Sequence, residues 1–205
     1  MNRRYPICVG ITGGIGAGKT TIAKLFTVLG IPVYNADVRA KWLMAHDTAL
    51  RNSISDAFGD ESFTNEGQLN RTYLANTVFS DSKKTALINS LVHPAVKADF
   101  SQWAVDQGTP YVIKEAALLF ETGSYRDLDK TILVTAPLEI RISRVMERDP
   151  QRDKDQIHEI IARQLPEEEK KALADFVVDN KGNKLVIPQV LKIHKALLSS
   201  QTSFL

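Results

Sequence analysis

Short apolar runs alternate with longer helical patterns along this chain. The runs occupy residues 7–11, 31–34, 111–113, 131–134 and 176–178. Their length, and the turn residues at their ends, are typical of buried strands. Between them, apolar residues recur every three or four positions, which is typical of helices with one buried face. Because strands that alternate with helices form βαβ units, the pattern predicts an α/β fold with a five-stranded parallel sheet.

The stretch between the second and third predicted strands is mostly helical and longer than a usual crossover connection. It covers about residues 38–108, so we expect a helical lobe beside the sheet that can close over a substrate. Asn70-Arg71 begins one helix, and in His93-Pro94 the proline suits a helix's first turn. Alone, both pairs are more typical of structural than of functional positions. Two large aromatic residues are expected in the core: Trp42 and Trp103.

The first strand and the helix after it enclose a glycine-rich loop. Residues 13–20 read Gly-Gly-Ile-Gly-Ala-Gly-Lys-Thr and fit the P-loop pattern at every constrained position. The glycines let successive backbone N–H groups point at one anion, and the helix adds its positive end. Lys19 supplies a charge for the β- and γ-phosphates, and the Thr20 hydroxyl is placed to bind Mg²⁺. The alternative, a Gly-rich turn capping a core helix, is disfavoured by the Lys-Thr pair and by the flanking elements.

Two acidic residues follow predicted strands. Asp37 comes after the second strand, and Glu115 ends the third. Ligands gather beyond the carboxyl ends of strands in open α/β sheets, so Asp37 is the first candidate for chemistry. It is also a candidate N-cap of the helix that begins near Val38. Glu115 either holds Mg²⁺ through water or is an exposed or salt-bridged glutamate.

Arginines mark the segment after the fourth strand. Arg141, Arg144 and Arg148 recur at three and four residues, so they share one helix face. Such a row is usually a solvated surface, but beside a P-loop its guanidinium groups can neutralise a transferred phosphoryl group. The charge-dense stretch after Arg148 is expected to be exposed, within a lid segment at about residues 138–172. Residues 167–171 are expected to be only a helix start in water.

Composition narrows the class of protein. The chain has 205 residues, 43% hydrophobic and 24% charged, with a net charge of +2, which is ordinary for a soluble globular domain. The charge is too small to argue for nucleic acid or membrane binding. The single cysteine, Cys8, lies in the first strand, where a small buried side chain is expected. No secretory signal or membrane span is recognisable, so we expect a cytoplasmic protein.

Several motifs resemble those of the dephospho-CoA kinase family, in the family's order. They are GITGGIGAGKTTIAKLF, Asn35-Ala36-Asp37, Phe58-Gly59, Leu69-Asn70-Arg71, His93-Pro94, Leu118-Leu119-Phe120-Glu121, Arg144 with Arg148, Gln164, and Ala174-Asp175 with Asn180. The resemblance implies a three-layer P-loop NTPase fold similar to nucleoside monophosphate kinases, with a helical substrate lobe and a lid. It also implies transfer of the ATP γ-phosphoryl group to the ribose 3′-hydroxyl of dephospho-CoA, with Mg²⁺, as the last step of coenzyme A synthesis.

The resemblance also implies roles for single residues. The catalytic set is Asp37, which orients or deprotonates the acceptor hydroxyl, with Lys19 and Arg144, which stabilise the phosphoryl group. The ATP-binding set is Gly14, Ile15, Gly16, Ala17, Gly18, Lys19, Thr20, Thr21, Arg148, Asn180 and Gly182. The acceptor-binding set is Asp37, Asn70, Arg71, His93, Leu118 and Glu121. The metal set is Thr20, with Asp37 and Glu115 acting through water.

Four residues depart from the family's usual pattern: Asn35, Glu115, Ala117 and Arg141. They leave the expected fold unchanged and leave the metal contacts and lid geometry open. We expect a single, monomeric P-loop kinase domain. Its core sheet covers about residues 5–37, 109–137 and 173–205.

Two other functions are considered. A kinase of the same fold acting on another small acceptor, such as a nucleotide, shikimate or gluconate, has the same P-loop. The lobe motifs around Asn70 and His93 distinguish it. A nucleotide-dependent switch is disfavoured, because the guanine-reading pattern Asn-Lys-x-Asp does not occur in the sequence.

Overall fold

The computed structural model describes residues 5–79 and 81–202 and divides the chain into two compact units. The first unit comprises Met1–Asn35 and Ala104–Leu205, and the second comprises Ala36–Trp103.

The first unit contains a parallel sheet, with five strands among the described residues. They are β1 (Ile7–Gly13), β2 (Val33–Asn35), β3 (Tyr111–Glu115), β4 (Lys130–Thr135) and β5 (Phe176–Asp179), in the order β2-β3-β1-β4-β5. Every pairing of neighbours is parallel. The central strands read as continuous apolar runs because both faces of the sheet are covered. The predicted α/β fold with a five-stranded parallel sheet is confirmed.

The α-helices of the described residues number nine. They are α1 (Lys19–Val28), α2 (Ala36–His46), α3 (Thr48–Phe58), α4 (Arg71–Phe79), α5 (Ser82–Val105), α6 (Leu138–Arg148), α7 (Lys154–Ala162), α8 (Glu167–Leu173) and α9 (Val186–Thr202). Within the described residues, none of these helices is both long and apolar enough to cross a membrane.

The main hydrophobic core lies where α1 and α9 cover one face of the sheet. Ile22 and Phe26 of α1 are fully buried there with Val9, Ile11 and Ile132 of the central strands. Burial of one such side chain stabilises the fold by about 2 kcal/mol. This packing fixes the position of α1 relative to β1, and the glycine-rich loop connects these two elements.

A carboxylate ties the start of β5 to β4. Asp175 accepts hydrogen bonds from the N–H of Thr131 (2.8 Å) and its hydroxyl (2.9 Å), and from Nζ of Lys130 (2.9 Å). Burial alone would raise the pKa of Asp175, but these bonds and the Lys130 charge together lower it below its ordinary value. Asp175 is therefore part of the scaffold on which the strands are aligned.

The second unit is helical, with α2, α3, α4 and most of α5. In α3, Leu50, Ile54 and Phe58 are buried at helical spacing, and Asp47 caps the helix by accepting from the Leu50 N–H at 2.8 Å. Trp42 was expected in the core, and this is wrong. The residue is 45% exposed, and its ring stacks on His46 with the Arg39 guanidinium 4.2 Å from the ring centroid.

Pro94 also differs from expectation. It lies inside α5, a helix of 24 residues, and not in a helix's first turn. Val92, Val96 and Phe100, spaced four residues apart, are all buried on one face of this helix. The packing of this continuous face offsets the roughly 3 kcal/mol that a proline costs inside a helix. A local signal for a helix start was therefore overridden by tertiary packing.

Candidate active site

The glycine-rich loop turns sharply between β1 and α1. Gly16 and Gly18 have φ angles of 77° and 94°, in the left-handed region that glycine tolerates best. The Ala17 N–H donates to the Gly14 carbonyl (3.0 Å) and closes the turn. Gly18 provides no side-chain cap for α1, so the first N–H groups of this helix point to the loop mouth, as in anion sites. Lys19 Nζ donates to the Gly13 carbonyl at 2.9 Å.

Glu115 lies beside the hydroxyl that was predicted to bind Mg²⁺. The Thr20 hydroxyl donates to Oε1 of Glu115 at 2.6 Å, and Nδ2 of Asn35 donates to Oε2 at 3.2 Å. The register of β2 and β3 pairs Asn35 with Glu115 and so brings the two side chains together. Glu115 is only 6% exposed, and therefore the interpretation as an exposed glutamate is wrong. Asn35 and Glu115, two departures from the family's pattern, form one hydrogen-bonded pair.

Arg144 of α6 also lies against the loop. Its Nη2 donates to the Asn180 carbonyl at 3.1 Å, and the Asn180 side-chain amide donates to the Ala17 carbonyl at 2.8 Å. A Cβ at Gly18 would lie 2.4 Å from that amide nitrogen and 4.0 Å from Nη1 of Arg144. Nη1 itself is buried without a hydrogen-bond partner among the described residues. A buried cationic donor of this kind is costly unless an acceptor, such as a phosphate oxygen, joins it.

The three arginines of α6 have different surroundings. Arg141 is 8% exposed, and its Nε donates to the Ile15 carbonyl at 3.0 Å. Burial lowers the pKa of Arg141, and Glu167, with an oxygen 3.9 Å from Nη1, opposes that shift. Arg148 is 63% exposed and pairs with Asp149 at 2.8 Å. The three arginines of the predicted face therefore have different roles. Arg141 is buried against the loop, Arg144 bonds to Asn180, and Arg148 forms a solvent-exposed ion pair.

Two contacts of the lid segment were missed at the level of sequence. Oε1 of Gln164 accepts from the Ile15 N–H at 3.0 Å. Lys170 is 3% exposed, and its Nζ lies 2.6 Å from Oε1 of Glu121. The expectation that residues 167–171 only start a helix in water is therefore wrong for Lys170. Gln164 had one signal, its place among the resembling motifs, whereas the charge pattern gave none for the Lys170 pair.

The family resemblance implies that Glu121 binds the acceptor. In the structure its carboxylate makes contacts within the first unit. Besides Lys170, its Oε1 accepts from the Leu165 N–H at 3.1 Å. Its Oε2 is buried without a hydrogen-bond partner among the described residues. Leu118 is 44% exposed. Thr21 and Gly182, from the ATP-binding set, are exposed in α1 and in the loop after β5.

A cavity of about 370 Å³ lies behind the glycine-rich loop. Its polar lining comes from Arg141, Gln164, Glu167 and Lys170, and Gly14 forms one wall. The side chains that contact Ile15 therefore border open space and are not embedded in packed core.

The remaining predicted site residues lie in the second unit. Asp37 is exposed in the first turn of α2, which begins one residue earlier, so it is not the N-cap that one interpretation expected. Asn70 caps α4, since its Oδ1 accepts from the Tyr73 N–H at 3.1 Å. Arg71 is exposed as the first residue of α4, and His93 is exposed in α5.

Comparison with known proteins agrees with these features. The family model described as dephospho-CoA kinase (CoaE) matches residues 7–185. A dephospho-CoA kinase of Bacteroides fragilis is 39% identical over 188 residues, which is 91% of each chain. The crystal structure of TT1252 from Thermus thermophilus is similar, with a TM-score of 0.83, 35% identity, and coverage of 95% of this chain and 99% of that chain.

A dephospho-CoA kinase structure from Campylobacter jejuni shows the same fold, with a TM-score of 0.61 and 21% identity, over 95% of this chain and 98% of that chain. The family match and the Bacteroides relative each cover most of the sequence, in agreement with the resemblance of the motifs. The chain therefore belongs to the dephospho-CoA kinase family, the ATP-dependent phosphotransferases of coenzyme A biosynthesis.

Proposed function

We propose that the γ-phosphoryl group of ATP is transferred at the mouth of the P-loop to the ribose 3′-hydroxyl of dephospho-CoA. The observation that carries this proposal is the buried Nη1 of Arg144. This nitrogen lies near Gly18 and has no hydrogen-bond partner among the described residues. A phosphate oxygen at this position would accept from Nη1 and offset the cost of burying it.

The chemistry requires positive charge more than covalent help. Phosphoryl transfer passes through a loose transition state with charge spread over the equatorial oxygens, so donors placed in advance stabilise it. Lys19 now donates to the Gly13 carbonyl, and we propose that it turns to the phosphates when ATP binds. Arg144 is already held by Asn180, and we propose that its buried Nη1 donates to the same phosphates.

Mg²⁺ is proposed to bind beside Thr20. The Thr20 hydroxyl and the buried Glu115 carboxylate are hard oxygen ligands joined at 2.6 Å, which suits an ion that keeps several waters. Thr20 would bind the ion directly and Glu115 through water. Held by these residues, Mg²⁺ would supply positive charge to the β- and γ-phosphates.

The acceptor side is proposed from the family's pattern alone. Asp37 orients or deprotonates the 3′-hydroxyl and contributes to the metal through water. The same pattern assigns Asn70, Arg71, His93, Leu118 and Glu121 to acceptor binding. It assigns Ile15, Thr21, Arg148 and Gly182 to ATP binding. A monomer in the cytoplasm stays a prediction.

An acceptor panel tests the proposed reaction. ADP release would be measured with ATP, Mg²⁺ and, in turn, dephospho-CoA, shikimate, gluconate and a nucleoside monophosphate. Dephospho-CoA should stimulate ADP release and give CoA, identified by mass spectrometry. Stimulation by another acceptor only would favour a kinase of the same fold with a different substrate.

Arg144→Ala tests the observation itself. We expect kcat to fall by a factor on the order of hundreds, because a charged donor to the transition state is lost. Arg163→Ala is the matched control, since Arg163 is exposed in the same segment, and its kcat should equal that of the wild type. Equal kcat values for the Arg144 and Arg163 variants would refute the role of Nη1.

A further inference from the structure

The backbone of Ile15 is held on both sides by side chains of the lid segment. Its N–H donates to Oε1 of Gln164, and its carbonyl accepts from Nε of Arg141, each at 3.0 Å. Gln164 lies between α7 and α8, and Arg141 lies on α6, so two separate elements hold one residue of the loop.

Ile15 is the point at which such contacts have most effect. It stands between Gly14 and Gly16 in a loop where four of the six residues from 13 to 18 are glycine. Glycine has the largest backbone freedom to lose, so this loop carries a high entropic cost of ordering. Phosphate binding by successive N–H groups needs that cost to be met before the ligand arrives.

The glycines beside Ile15 are shaped by the same neighbour. A Cβ at Gly14 would lie 2.5 Å from the guanidinium carbon of Arg141, and a Cβ at Gly16 would lie 2.3 Å from the Arg141 carbonyl oxygen. Arg141 thus lies flat against Gly14 while its own backbone touches Gly16. Glu167, 3.9 Å from Nη1, accompanies the buried charge.

We propose that Gln164 and Arg141 are positioning residues that hold the Ile15 backbone and so preform the P-loop for the phosphates of ATP. Neither acts on the reacting atoms in this role. ATP affinity then depends on the lid segment through Ile15. The inference rests on the proposed function, because it assigns the P-loop to ATP.

The first test compares Gln164→Leu, Gln164→Glu and the wild type. Leucine removes the acceptor at similar size, whereas glutamate keeps an acceptor oxygen, with Arg141 bordering the same cavity to balance its charge. The probe is ATP with Mg²⁺, titrated calorimetrically without dephospho-CoA. Gln164→Leu should raise the ATP dissociation constant about tenfold. Gln164→Glu should keep most of the wild-type ATP affinity.

Gln151→Leu is the matched control, since Gln151 is exposed between α6 and α7, and its ATP affinity should be that of the wild type. Thermal unfolding of each variant shows whether the fold is kept. In turnover assays, Gln164→Leu should raise KM for ATP and leave KM for dephospho-CoA unchanged, a split that a general loss of stability does not produce.

The second test uses Arg141. Nε2 of glutamine is as many bonds from the backbone as Nε of arginine, so Arg141→Gln keeps the donor to Ile15 and removes the charge. Arg141→Leu removes both. If positioning is the role, Arg141→Gln should bind ATP several-fold more tightly than Arg141→Leu.

Several results would overturn the inference. They are unchanged or tighter ATP binding by Gln164→Leu, no recovery in Gln164→Glu, equal weakening in Gln151→Leu, and a lower melting temperature without loss of ATP affinity. A wild-type enzyme that binds ATP but does not phosphorylate dephospho-CoA would instead refute the proposed function. In that case the ATP titrations would still decide the positioning role.

Discussion

The two units differ in how their predicted site residues are held. In the first unit, residues far apart in sequence meet at the P-loop: Thr20 bonds to Glu115, Ala17 to Asn180, and Ile15 to Gln164. In the second unit, Asn70 makes a bond of short range, to Tyr73 in its own helix, and Asp37 is exposed at the start of α2. The long-range bonds that would preorganise a site therefore lie in the first unit, where we propose that ATP binds.

This difference explains what the sequence carries for each side. A P-loop works through backbone N–H groups, so its spacing and glycines are readable in eight consecutive residues. An acceptor site works through side chains on separate helices, and such residues look like helix starts when taken singly. Function in the second unit therefore has to be tested by substitution.

Asp37→Asn provides the strongest test of the contrast. If Asp37 orients or deprotonates the acceptor hydroxyl, kcat should fall by a factor on the order of a hundred or more, with ATP affinity unchanged. Kinetics with both substrates, together with ATP titration, would measure this. Asp56→Asn, an exposed carboxylate of α3 in the same unit, should behave as the wild type.

Near-normal turnover in Asp37→Asn would limit the second unit to binding and place all of the chemistry in the first. A loss of ATP affinity in the same variant, with kcat retained, would show that Asp37 serves the nucleotide or its metal and not the hydroxyl. Either result would change the role that the comparison assigns to the second unit.

Glu115→Gln should have a smaller effect. Glutamine keeps an oxygen that can accept from Thr20 but loses the negative charge that suits a cation. We expect the Mg²⁺ concentration for half-maximal activity to rise about tenfold, with kcat recovering at high Mg²⁺. Glu168→Gln is the control, since the Glu168 side chain is 84% exposed. An unchanged Mg²⁺ requirement would reduce Glu115 to a scaffold for Thr20 and Asn35.

Much of the first unit could be predicted from the sequence, because its signals are local. The strands are apolar runs, and the P-loop is a contiguous motif. The parallel orientation of the strands follows from the helices that separate them in the sequence. These features depend on neighbours a few residues apart.

Contacts between distant residues could not be predicted in the same way. Gln164 meets Ile15 across 149 positions of sequence, and the charges of residues 167–171 suggested water where Lys170 is in fact buried against Glu121. The prediction for Pro94 failed because the packing of a whole helix decided its place. The prediction for Trp42 failed because the sequence did not show that its ring would lie exposed against Arg39 and His46 of its own helix. Periodicity reports which face of an element is apolar, but not which partner covers each polar group.

Asp175→Asn has the smallest predicted effect. It tests whether a residue of the first unit can stabilise the fold without affecting ATP binding. The folded pKa of Asp175 is below the ordinary value, so its stabilising contribution is complete above about pH 4, the unfolded value, and is lost as pH falls through the folded pKa. Asp175→Asn should lower the free energy of unfolding at pH 7 by about 1 kcal/mol, because the carboxylate is partly exposed. ATP affinity should not change.

Urea unfolding of the wild type and Asp175→Asn between pH 3 and pH 7 would measure this, with Asp56→Asn as the control. The stability gap should be constant at neutral pH and narrow below about pH 4, because the unfolded chain then binds a proton at Asp175 before the folded protein does. A gap that stays constant down to pH 3 would mean that the bonds to Thr131 do not depend on the charge. A loss of ATP affinity would place Asp175 in the site and not in its scaffold.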